Sequence, residues 1–131
     1  MQSKTSMRTP LARVRGLGSA QSGTEHFWLL RITSVALTVL TFTFIGTLIA
    51  LFGKSYAQAM AILSNPLVAI LLLLFVVTSL VHTRAGMQTI IEDYVHDEGL
   101  KVLALMGNTF FIVLVGAASA FAILKIAFVG A

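Results

Sequence analysis

Three long apolar runs, parted by short polar breaks, set the pattern of this chain. The first extends from Phe27 to Phe52, the second opens at Pro66 and continues through "LVAILLLLFVVTSLV" toward Glu92, and the third covers residues 100–124. Each exceeds the roughly 20 residues with which a helix crosses a hydrocarbon layer about 30 Å thick. The pattern predicts an all-α membrane protein with transmembrane helices at about 27–52, 66–92 and 100–124. Residues 1–24 form a polar tail, and the whole of 1–131 is one membrane-anchored domain. Phe27 and Trp28 begin the first helix as an interfacial aromatic anchor. Gly53-Lys54-Ser55 ends it, and a short stretch to about Ser64 reads as a connection. Asn65-Pro66 is an opening signal for the second helix, because asparagine caps a helix and proline is tolerated in its first turn. "DYVHDEG" reads as a polar loop.

Composition excludes a soluble enzyme: 57% of residues are hydrophobic, 11% are charged, and the mean hydropathy is +0.93. After three crossings no length remains for a catalytic domain outside the membrane. The absence of cysteine removes thiolate-bound zinc, iron–sulfur ligation and disulfides from this chain's own repertoire. The net charge of +4 comes chiefly from the tail, where Lys4, Arg8, Arg13 and Arg15 precede any acid. The tail thus reads as a membrane-surface segment with no nucleic-acid partner, although its Arg- and Ser-rich, acid-poor composition is also that of an organelle transit peptide. A secretory signal peptide does not fit, because the first apolar run is too long. Translation from Met7 is an alternative to Met1. The tail and the loop after the second helix share a side and hold most of the basic residues, whereas Lys54 and Lys125 lie opposite. The positive-inside rule therefore predicts a cytoplasmic N-terminus and a C-terminus outside.

Candidate chemistry concentrates in "LVHTRAGMQTIIEDYVHDEG", residues 80–99. A histidine within a membrane span is costly unless something binds it. At 100° per residue, Asp93 returns to within about 20° of His82 and lies roughly 16 Å along the axis. Thr78, Gly86 and Thr89 fall on the same face, and Arg84 points to the other side. Gly86, one turn from the imidazole, leaves room for a large planar ligand. Zinc needs three or four convergent ligands, which this face does not supply. Haem needs one or two, and the second would come from another subunit, since His26 and His96 fall at the interface. A structural histidine bonded across helices fits the same pattern.

The run His82, ten residues, then Asp93-Tyr94, with Gly86-Met87 between, resembles the second transmembrane helix of the smaller hydrophobic anchor of succinate dehydrogenase, respiratory complex II. The stretch "RTPLARVRGLGSAQSGTEHFWLLRITSVAL" is similar to the tail and first helix of the alphaproteobacterial branch of that family. The resemblance implies that His82 is one axial ligand of a b-type haem shared with a cytochrome b556 anchor subunit. It implies that Tyr94 donates a hydrogen bond to a ubiquinone carbonyl, with Asp93 supporting that site. Arg31, one turn inside the first span on the side where haem propionates would lie, either pairs with a propionate or snorkels to the headgroups, and His26, more weakly, reaches a propionate or the rim of the quinone pocket. It also implies iron–sulfur and flavoprotein partners that carry the succinate chemistry, in a bacterial inner membrane or a mitochondrial one. Other readings are the anchor of a fumarate reductase or another quinone-linked b-type cytochrome, and a structural or assembly subunit without haem.

Several further features read as structural. "HDEG" at 96–99 is a solvated turn, and Arg84 reaches the interface or a partner subunit. Asn108 bonds a neighbouring helix, and "GAASA" at 116–120 gives a small-residue contact face. Thr33, Thr38, Thr41, Thr43 and Thr47 can each hydrogen-bond back to their own helix.

Overall fold

The computed structural model describes residues 22–129, together with Thr9 and Leu11. The basic tail read at 1–24 lies almost wholly outside the described residues. Helix α1 spans Ser22–Leu51, α2 Tyr56–Leu63, α3 Pro66–Tyr94 and α4 Glu98–Val129. Three of these, α1, α3 and α4, are long and apolar enough to cross a membrane. This is an integral membrane protein, and the three predicted spans are present. The start of α1, the far end of α3 and both ends of α4 extend beyond the apolar runs. At 1.5 Å per residue each long helix measures roughly 45 Å, enough to cross the hydrocarbon and continue into the interface.

Local chemistry explains each boundary. Gly53, at φ 71°, adopts the left-handed conformation that closes α1. The next helix, α2, is one the sequence reading passed over as a connection. It forms because Ser55 and Gln58 make a reciprocal capping box: the Ser55 hydroxyl accepts from the Gln58 backbone N–H, and the Gln58 side-chain oxygen accepts from the Ser55 N–H. Asn65 Oδ1 then accepts from Leu67 N–H at 2.9 Å, with Pro66 in the first turn, so α3 opens where its sequence signal stands. Asp97 is more than part of a solvated turn. Its Oδ1 accepts from Leu100 N–H at 2.8 Å and so caps the start of α4.

Both α1 and α4 pack against α3, which is the central helix. On the α1 side the Phe44 and Phe75 rings stack with centroids 4.6 Å apart. On the α4 side, Asn108 Nδ2 donates to the Arg84 carbonyl at 3.2 Å, the interhelical bond expected of it. A Cβ at Gly116 would lie 3.1 Å from Leu80 Cδ1, so glycine there lets α4 approach α3. Gly116→Val is expected to cost about 1–3 kcal/mol through overpacking, read as a lower Tm of the detergent-solubilised protein, whereas Gly116→Ala should be mild because the Leu80 methyl can shift.

Burial is thin. Among the described residues only Thr33, Ala69, Ala85, Ile91 and Ile112 are buried, and large apolar side chains such as Ile32, Val35, Phe42 and Phe110 are exposed. Apolar surface on nearly every side of a helix is what lipid or further membrane subunits cover.

Candidate functional site

The contact between α1 and α3 is held by the same pair of residue types twice. Seven positions separate His26 from Thr33 on α1 and His82 from Thr89 on α3. Seven residues make nearly two turns, so each histidine shares a face with its threonine. Because the helices run antiparallel, each histidine meets the other helix's threonine. His26 Nε2 lies 3.0 Å from Thr89 Oγ1, and His82 Nδ1 lies 2.8 Å from Thr33 Oγ1. In this register Arg31 stands level with Arg84.

Giving each threonine proton to its backbone carbonyl assigns one direction to both bonds. The Thr33 hydroxyl has one proton, and its 2.7 Å contact with the Leu29 carbonyl takes it. Thr33 Oγ1 therefore accepts from His82 Nδ1–H, which leaves Nε2 with a bare lone pair. Thr89 Oγ1 likewise donates to the Ala85 carbonyl at 3.2 Å and accepts from His26 Nε2–H.

His82 is half-buried and lines a groove of about 430 Å³ with Ser34, Leu37, Thr38, Thr41 and Phe42. Gly86, one turn on, has open space where a Cβ would project. The site thus offers one imidazole nitrogen beside an uncovered surface. Among the described residues no group of three or more His, Asp or Glu side chains converges to hold a metal ion. A lone imidazole suits a metal whose other ligands arrive with it or from a second protein, and a metalloporphyrin is such a group.

The other predicted site residues are dispersed around this end of the bundle. Arg31 lies over the Phe27 ring, 4.1 Å from its centroid. It lines a separate groove with Trp28, Ile32, Val35 and Ala36, so the structure does not bring it into the His82 groove. His26 and Arg84 line a different groove of about 360 Å³, walled by Leu29, Val77, Val81 and Val113. Arg84 thus points away from His82, as its position on the helix predicts. Asp93 and Tyr94 close α3 as exposed residues, Tyr94 at 78%. They stand roughly 16–18 Å along the axis from His82. The residue that sequence reasoning missed is Thr33, read there as bonding only to its own helix. The repeated His-x6-Thr spacing was the available signal.

The model of the succinate dehydrogenase/fumarate reductase transmembrane subunit matches residues 5–124. The chain belongs to that family. It is similar to the succinate dehydrogenase hydrophobic membrane anchor subunit of Paracoccus denitrificans, 35% identical over 117 residues that make up 89% of this chain and 90% of the relative. The protein of the same name from Rickettsia bellii is 31% identical over 107 residues, 82% of this chain and 86% of that one. The succinate dehydrogenase membrane anchor subunit of Reclinomonas americana is 26% identical, over 65% of this chain and 73% of its own length. No solved structure matches the chain. Membership in this transmembrane family and the three apolar helices agree on a membrane-anchor subunit of an oxidoreductase.

Proposed function

We propose that this chain is the smaller anchor of a succinate:ubiquinone oxidoreductase, supplying one axial histidine to a b-type haem and part of the quinone-reduction site. The observation that carries the haem reading is the bond from His82 Nδ1–H to Thr33, which leaves Nε2 free as a donor beside an open groove. When bound, a b-type haem supplies a one-electron store inside the membrane. The second axial ligand comes from a cytochrome b556 partner, since no other histidine of this chain lines that groove. Arg31, exposed about one turn along α1 from Ser34, is the guanidinium that would pair with a propionate. His26, five residues nearer the start of α1, is the weaker candidate, since its ring bonds Thr89 on α3.

At the end of α3, the Tyr94 phenol donates a hydrogen bond to a quinone carbonyl oxygen, which strengthens as negative charge develops there during reduction. The Asp93 carboxylate beside it orients that end of the pocket or holds a proton for delivery. Exposure of both side chains fits a pocket completed by other subunits: electrons come from an iron–sulfur partner, and a flavoprotein partner oxidises succinate. The N-terminus lies in the cytoplasm and the C-terminus outside, in a bacterial inner membrane. The relatives described above carry succinate dehydrogenase names, which favours that direction over fumarate reduction.

Removing the chain tests the anchor role. Succinate oxidation measured with a soluble dye is expected to move from the membrane to the soluble fraction, and succinate-dependent quinone reduction to vanish. Retention of both activities in the membrane would refute it.

A further inference from the structure

We propose that Thr33 is a positioning residue that sets the tautomer and the donor strength of the His82 imidazole. The inference rests on the reading of His82 as an axial ligand. Among the described residues Thr33 is the one buried polar side chain, 8% exposed. Its hydroxyl donates to the Leu29 carbonyl at 2.7 Å, with the Leu30 carbonyl at 3.1 Å as a second acceptor. With its proton on a carbonyl, the oxygen facing His82 Nδ1 serves as the acceptor, and it is polarised further by the bond it donates.

Two consequences follow for the imidazole. The proton is kept on Nδ1, so Nε2, the nitrogen farther from the backbone, carries the lone pair. The ring is also held against rotation, and the Nδ1–H bond raises electron density at Nε2, as outer-shell acceptors do for metal-bound histidines. His26 provides the internal contrast. It makes the same kind of bond with Thr89 through Nε2, which spends the outer nitrogen and leaves only Nδ1 against its own backbone. Two His–Thr pairs of one register thus present opposite nitrogens, and only the Thr33 pair leaves the sterically open one available.

Redox titration and low-temperature electron paramagnetic resonance of the haem in the purified complex test this. Thr33→Val removes the acceptor at nearly constant volume. The expected result is a haem that is still bound, with a higher midpoint potential and altered low-spin g-values. Thr33→Ser keeps the hydroxyl and restores both. A wild-type potential and spectrum in Thr33→Val would overturn the proposal. Should the valine variant not assemble, Thr33→Ser and Thr33→Cys differ only by oxygen against a weakly accepting sulfur. A higher potential in the cysteine variant supports the role of the acceptor, and equal potentials overturn it. His82→Ala separates this inference from the reading beneath it. A haem left unchanged there defeats both, whereas loss of the haem there with an unresponsive Thr33 series defeats only the role given to Thr33.

Discussion

The His82→Ala complex is expected to lose its reduced b-type absorbance, with haem content falling by at least the roughly 10- to 100-fold typical of damage to an outer-shell partner. The expectation follows from the donor count. His82 offers the one imidazole Nε2 on its groove, and no nearby histidine, aspartate or glutamate cluster among the described residues can substitute. Alanine leaves room against Gly86 and Thr33, so added imidazole should enter and restore part of the signal. Helix packing survives, because Phe44–Phe75 stacking and the His26–Thr89 bond still join α1 to α3. An unchanged difference spectrum in His82→Ala would show that this imidazole serves only to join helices.

Tyr94→Phe is expected to lower succinate-dependent quinone reduction by about 10²-fold, the range seen when one donor to a developing oxyanion is removed. Succinate oxidation with a soluble dye and the haem spectrum should stay at wild-type values, since Tyr94 stands some 18 Å along the helix from His82. The side chain is 78% exposed, so removing its hydroxyl breaks no internal contact of this chain. Wild-type quinone kinetics in Tyr94→Phe would reduce the residue to an interfacial belt tyrosine.

Much of this architecture was legible because membrane spans obey few constraints. Length and unbroken apolarity marked the three long helices, and Asn65-Pro66 marked the start of α3 to the residue. The short α2 escaped because its apolar run merges with its surroundings, and only the Ser55-x-x-Gln58 capping box distinguishes it from a connection. At the site, helical rotation placed His82, Gly86 and Thr89 together and set Arg84 apart. It did not reveal Thr33, because a threonine in a membrane helix satisfies its donor locally and its spare lone pairs leave no mark in one sequence. Pairing Thr33 with His82 needs the antiparallel register of α1 on α3, an interhelical fact. Asp93 and Tyr94 are likewise exposed in this chain alone, so neither sequence nor fold draws a pocket wall around them.

The scarcity of buried residues bears on how such a subunit is made. An unassembled copy would hold the free nitrogen of His82 and the guanidinium of Arg84 against lipid, at a cost that grows with depth in the hydrocarbon. Its own packing gives little to resist intramembrane surveillance, so surplus copies are expected to be short-lived, with a steady-state abundance that follows that of companion polypeptides. Expression in isolation should yield traces, and co-expression a stoichiometric yield.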